Sequence, residues 1–214
     1  MICETLSFDI MDPRWEHPFT SIIAGPTGCG KTQFVLTFLQ HIDEIVAPPP
    51  YKVIYSYAEW QPAYQHLPSF VKLVEGLPDI PDYSKDPLLL VIDDQMDIAN
   101  KSISSLFTKG SHHRNISVIY IVQNLFDSNK HHRTISLNAH YLVIFKNPRD
   151  ASQIVHLAKQ MYPGQSAYVQ EAFNLATRDP HGYLLVDLKQ TTPDSLRMRS
   201  HIFPGEIQEV YIKN

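Results

Sequence analysis

Eight consecutive residues, Gly25-Pro26-Thr27-Gly28-Cys29-Gly30-Lys31-Thr32, constrain this chain more than any other stretch. They match G-x-x-x-x-G-K-[ST], the Walker A pattern, at every required position. That spacing wraps a phosphate tail in successive backbone N–H groups, and glycine lets the chain turn back with no Cβ between backbone and anion. Lys31 then offers an ammonium to the β and γ phosphates of ATP and Thr32 offers a hydroxyl to Mg²⁺. The helix that follows points its positive end at the anion. The flanks agree, because Ser21-Ile22-Ile23-Ala24 reads as a buried strand and Gln33-Phe34-Val35-Leu36-Thr37-Phe38-Leu39 as an amphipathic helix.

Further along, apolar runs predict strands near 19–24, 52–57, 88–92, 116–122, 141–145 and 183–187. Helices are expected from Lys31 to Ile45, where Pro48-Pro49-Pro50 prevents continuation, and over 95–107, where Lys109-Gly110 stops the turn. Two more are expected over 151–160 and 166–175. The proline-punctuated connection 68–87 leaves one short helical candidate, Phe70–Glu75. Alternation of this kind gives a doubly wound, mainly parallel α/β sheet with right-handed crossovers. A strand at 52–57, between the phosphate-loop strand and the one at 88–92, admits the 5-1-4-3-2 order of RecA-like (ASCE) P-loop ATPases, with 183–187 as an added strand. The reading is one ATPase domain over 19–187, an N-terminal extension over 1–18 and an extended C-terminal arm over 188–214.

The run Leu88-Leu89-Leu90-Val91-Ile92 is uninterrupted, as expected of a strand buried on both faces, and it ends in Asp93-Asp94. Taken alone this also describes a strand-ending turn. Downstream of a complete phosphate loop it supplies Asp93 to the Mg²⁺ shell and Asp94 to orient and deprotonate the attacking water. Gln123 closes the next strand, where it either reads the γ phosphate or hydrogen-bonds the adjacent loop. Glu59 and Gln61 lie past the end of the strand at 52–57, where parallel sheets place chemistry. Glu59 is either near the nucleotide or a solvated loop carboxylate.

His112-His113-Arg114 and Lys130-His131-His132-Arg133 bracket the fourth strand. A strand of about eight residues at about 3.3 Å each separates its ends by roughly 26 Å, too far for one metal. As cations the clusters can instead face a neighbouring subunit's nucleotide or nucleic acid. Arg133, past the phosphate-loop end of the sheet, suits an arginine finger better than Arg114, and surface charge is the competing reading for both.

At 214 residues the chain has room for one sizeable core, and a formal charge of −4 gives no overall basic excess. A ring needs positive charge only where it faces its channel. Cys3 and Cys29 form no disulfide framework, so a reducing compartment is expected. The apolar runs are strand-length, well short of the roughly 18 residues that cross a bilayer, so a soluble intracellular protein without a membrane partner is expected.

The stretches GPTGCGKT, YAEWQP, LLLVIDDQM, SHHRNISVIYIVQNLF, HHRTISLNAHYLVIFKNPRD and RMRSHIFPGE closely resemble the FtsK/HerA-type genome-packaging ATPases of Polinton (Maverick) elements and adintoviruses, relatives of the poxvirus packaging ATPase. The resemblance spans about Thr20 to Glu206. It implies a homo-oligomeric, hexameric ring that hydrolyses ATP at subunit interfaces and drives double-stranded DNA into a capsid, with capsid or vertex proteins as partners. The setting it implies is the host nucleus or the site of virion assembly. By position it implies Gly25–Thr32 as phosphate loop, Asp93 and Asp94 as metal and base carboxylates, and Gln123 as sensor. Glutamate commonly follows the metal aspartate in that superfamily. Asp94 is one methylene shorter, which leaves Glu59 as a substitute base. The match does not choose between Arg133 and Arg114. A viral replication helicase and an ATP-binding capsid-assembly protein without useful turnover are the alternatives.

Overall fold

The strand that leads into the phosphate loop is hydrogen-bonded on both sides. In the computed structural model, which describes residues 12–80, 84–93, 100–126 and 130–213, β1 is Trp15–Glu16 and this strand, Thr20–Ala24, is β2. Helices α1 (Lys31–Gln40) and α2 (Ile42–Ile45) follow, then β3 (Val46–Ala47), β4 (Lys52–Tyr57), a 3₁₀ turn (Pro62–His66) and β5 (Val71–Glu75). After β6 (Leu88–Asp93) the chain runs through α3 (Asn100–Ser105), a π-helical segment (Leu106–Gly110) and α4 (Ser111–Arg114). Next come β7 (Ile116–Val122), α5 (Lys130–Leu137), β8 (Tyr141–Phe145), α6 (Ser152–Met161) and α7 (Ser166–Ala176). Strands β9 (Tyr183–Asp187), β10 (Met198–Ser200) and β11 (Glu209–Val210) complete the order.

Nine strands form one sheet in the order β11-β10-β9-β8-β2-β7-β6-β4-β5. The six from β8 to β5 are parallel and the other three join antiparallel at one edge. Ile22 stands opposite Tyr120 of β7 and Leu142 of β8, and Asp93 of β6 stands opposite Tyr57 of β4 and Ile121 of β7. The carboxyl ends of β2, β6, β7 and β4 therefore gather at one rim, where chemistry is placed in parallel sheets.

Alternate residues of the buried strands face opposite layers. Ile23, Leu89, Val91, Ile119, Ile121 and Val143 pack against Phe34, Val35, Phe38 and Leu39 of α1. Ile22, Leu90, Ile92, Val118, Tyr120 and Leu142 pack against Ile103, Ile135, Leu157, Val169 and Phe173 on the other side. Asp93 continues the Leu89–Val91 row, which carries its side chain to the face shared with α1.

Four expectations change. Phe70–Glu75 is not helical: Val71–Glu75 is an edge strand parallel to β4. Its short run is half-buried, and Lys72 and Glu75 are exposed, which suits an unpaired sheet edge better than a helix face. Lys109-Gly110 does not stop the helix. The turn widens into a π segment and continues to Arg114, with Thr108 Oγ1 donating to the Ser104 and Ser105 carbonyls at 3.0 and 3.3 Å. The first helix breaks at His41 rather than running to Ile45 unbroken.

The segment 188–214 is not an extended arm throughout, because β10 and β11 add to the sheet. Met198 is fully buried between two arginines whose charges are absorbed internally. Arg197 donates to the Asp187 and Lys189 carbonyls, and Arg199 pairs with the Asp187 carboxylate at 3.2 Å. At the other end, Trp15 lies wholly buried and stacked on Tyr141 at 4.2 Å, so residues 12–18 cover one face of the domain.

Candidate nucleotide site

The phosphate loop is shaped by two left-handed residues and one close approach. Gly28 has φ 80° and Gly30 φ 111°, values that side chains with a Cβ rarely adopt. At Gly25 a Cβ would come within 2.7 Å of both Cys29 Sγ and Phe145 Cβ. Gly30 ends the loop and accepts the first helical bond, from Phe34 N at 2.9 Å. The N–H groups of Lys31, Thr32 and Gln33 precede any partner in the helix ladder and are the natural anion ligands.

Lys31 Nζ donates to the carbonyls of Gly25 at 2.6 Å and Pro26 at 3.0 Å, so its ammonium is folded over the loop that it would serve. Burial pushes the Cys29 thiol up, against the opposing pull of the Lys31 charge. Cys29 is therefore a packed neutral thiol in the loop rather than a nucleophile.

A cavity of about 370 Å³ opens beside the loop and is lined by Thr27, Lys31, Thr32, Gln61, Asp93 and Gln123, among others. Lys31, Thr32, Asp93 and Gln123, all singled out from sequence, thus meet at one place, together with Gln61. Asp93 is only 4% exposed. Its Oδ2 accepts hydrogen bonds from the hydroxyls of Tyr55 at 2.6 Å and Tyr64 at 3.0 Å. Burial, with the Asp93 charge beside it, pushes the Tyr55 hydroxyl far above the ordinary phenol range, so it stays a neutral donor. Tyr55 falls within the strand expected at 52–57, and Tyr64 lies in the connection after it. No local pattern marks them, because the contact depends on β4, β6 and the 3₁₀ turn meeting.

A hydroxyl and a carboxylate facing one cavity are hard oxygen donors of the kind Mg²⁺ takes, and that ion commonly uses one or two protein oxygens with substrate phosphates. Thr32 and Asp93 fit that role. Among the described residues no group of three His, Cys, Asp or Glu side chains converges as a metal site.

Gln61 faces the cavity, whereas Glu59 is exposed and outside its lining. Neither arginine lines it. Arg133 is exposed on α5, and Arg114 ends α4 at the opposite end of β7 from Gln123. Asp94 lies outside the described residues. Of the histidines, His132 is buried with its ring 6.0 Å from that of Tyr120, and His113 is exposed.

One contact went unforeseen. His181 Nδ1 is 3.0 Å from the Cys29 carbonyl, and the ring sits where a Cβ on Gly30 would approach within 3.3 Å. His181 is left-handed at φ 63°, and a Cβ on Gly182 would meet the Ala176 carbonyl at 2.5 Å. The sequence marks only the strand at 183–187; the turn before it, Pro180-His181-Gly182, reaches the loop because β9 lies two strands from β2.

No protein-family model matches the chain, and no curated protein matches it in sequence. Among solved structures it is similar to the genome packaging NTPase B204 from Sulfolobus turreted icosahedral virus 2, solved in complex with ATP-gammaS. The identity is 12%, the match covers 86% of this chain and 96% of that one, and the TM-score is 0.53. At that identity the likeness speaks for the fold, an α/β chain built on a large, mostly parallel sheet.

Proposed function

We propose that this chain is an ATP-hydrolysing ring motor that moves double-stranded DNA into a viral capsid. In this reading it is a RecA-like P-loop ATPase of the FtsK/HerA packaging type, of the kind carried by Polinton elements and adintoviruses. The observation that carries the proposal is the meeting of Lys31, Thr32, Asp93 and Gln123 on one cavity at the carboxyl rim of a parallel sheet. The side-by-side order β8-β2-β7-β6-β4 supports the RecA-like class, and the likeness to a genome packaging NTPase supports the motor's task.

On this account, Lys31 exchanges the Gly25 and Pro26 carbonyls for β- and γ-phosphate oxygens, and the first turn of α1 receives the remaining negative charge. Thr32 and Asp93 would hold Mg²⁺, whose charge would offset that developing on the transferred phosphoryl group. Asp94 accepts the proton of the attacking water. Gln123 senses the γ phosphate, and the strand end passes that contact on to α6. Gln153 at the start of α6 accepts from Leu125 N at 2.8 Å and donates to Asn124 Oδ1 at 3.2 Å. A neighbouring copy supplies the arginine, Arg133 or else Arg114, in a hexameric ring that docks on capsid or vertex proteins.

Asp94→Asn tests the chemical assignment. Removing the proton acceptor while keeping the shape is expected to leave ATP affinity within a few-fold and to lower turnover by about 10²–10⁴. Equilibrium binding beside steady-state ATPase rates reads both quantities. Normal turnover in Asp94→Asn would move the base elsewhere, with Glu59 the next carboxylate to substitute.

A further inference from the structure

The Asp93 carboxylate carries two unusual partners. Tyr55 comes from the middle of β4 and is fully buried, whereas Tyr64 comes from the 3₁₀ turn beyond that strand and is 2% exposed. Their rings lie 5.1 Å apart, and both hydroxyls donate to the same oxygen, Oδ2. A carboxylate held by two rigid donors at one oxygen cannot rotate about its terminal torsion without breaking both bonds. The turn that delivers Tyr64 also sets Gln61 and Ala63 against the nucleotide cavity. Trp60, half-exposed, meets the Tyr64 ring edge-on at 5.6 Å and the Tyr57 ring at 5.8 Å. A continuous chain of contacts therefore runs from the buried carboxylate to a surface tryptophan.

We propose that Tyr55 and Tyr64 are positioning residues for the metal site, clamping Asp93 in the orientation that binds Mg²⁺ and tying the 58–67 loop to whether that metal is bound. The inference rests on the nucleotide-binding reading of the cavity. It assigns the tyrosine hydroxyls a role in metal affinity and leaves metal-free nucleotide binding to the phosphate loop. Partners of this kind fix the orientation of a ligating group, and their removal typically costs about 10–100-fold in metal affinity. Trp60 becomes a built-in reporter, since the chain's other tryptophan, Trp15, is buried in the aromatic cluster of Phe19, Phe38 and Tyr141.

The test titrates full-length wild type, Tyr55→Phe and Tyr64→Phe with ATP-gammaS in EDTA, then with Mg²⁺ at saturating nucleotide, following calorimetry and tryptophan fluorescence. Trp60→Phe assigns the optical signal. The expected result is unchanged metal-free affinity in both variants, a rise of about 10–100-fold in the half-saturating Mg²⁺ concentration, and loss in Tyr64→Phe of the Mg²⁺-dependent Trp60 change seen in wild type. Wild-type Mg²⁺ dependence in both variants would overturn the proposal, as would an equal loss of metal-free and metal-dependent affinity, which marks a role in the fold alone. Wild type that binds no ATP-gammaS at all would overturn the nucleotide reading and the proposal with it.

Discussion

Lys31→Ala is expected to lower steady-state ATP turnover by about 10²–10³, the usual cost of removing one preorganised donor from a developing phosphoryl charge. Two effects combine. The ammonium is lost from the β and γ phosphates, a charge-assisted bond of about 1.5–3 kcal/mol that corresponds to about 10–100-fold in nucleotide affinity. The loop also loses its internal clasp, because Lys31 Nζ bridges the Gly25 and Pro26 carbonyls on the same turn. The fold itself should survive, since the apolar face of α1 carries the packing through Phe34, Val35, Phe38 and Leu39. Rates at saturating ATP, with nucleotide affinity measured separately, check this, and unfolding midpoints confirm that the variant is folded. Turnover within a few-fold of wild type would remove the loop from the chemistry.

The largest stability effect is expected far from the loop. Arg199 and Asp187 have side chains 4% and 5% exposed and are paired at 3.2 Å, and Arg199 also donates to the Pro13 carbonyl at 3.2 Å. Arg199→Ala leaves a carboxylate buried without that partner, which typically costs about 3–5 kcal/mol. For a chain of this size that is a fall of roughly 6–20 °C in the unfolding midpoint, at about 2–4 °C per kcal/mol. The pair itself need not be a net stabiliser. Arg199 Nε is buried with no hydrogen-bond partner among the described residues, and burial presses the guanidinium pKa down against the pull of Asp187. Replacing both residues together, Arg199→Met with Asp187→Leu, should therefore recover most of the loss. Urea or thermal unfolding of single and double variants checks the cycle, and a single-variant loss under about 1 kcal/mol would contradict it.

These cases separate what the sequence makes readable from what it hides. The phosphate loop is readable because its demands are local: left-handed glycines, an ammonium and a hydroxyl must follow one another along the chain. The strands at 88–93, 116–122 and 141–145 are readable because burial on both faces leaves uninterrupted apolar runs. The strand at 71–75 is half-exposed and bracketed by prolines, so its periodicity is weak. The π segment hides because Gly110 imitates a helix stop while Thr108 keeps the turn closed.

Long-range partners leave no local trace at all. Trp15 on Tyr141, Arg199 on Asp187, His181 on the Cys29 carbonyl and Tyr55 with Tyr64 on Asp93 exist only once the strands are ordered. In the proposed ring the arginine would come from a second copy, and neither Arg133 nor Arg114 lines the cavity of its own chain.

The central claim, a duplex-DNA motor, is tested most directly by the ATPase rate of a size-defined oligomer with and without double-stranded DNA. Wild type and Lys31→Ala are measured side by side. The account predicts a wild-type rate well above that of Lys31→Ala and raised further by duplex. A wild-type rate that duplex leaves unchanged, or one no higher than that of Lys31→Ala, would contradict it.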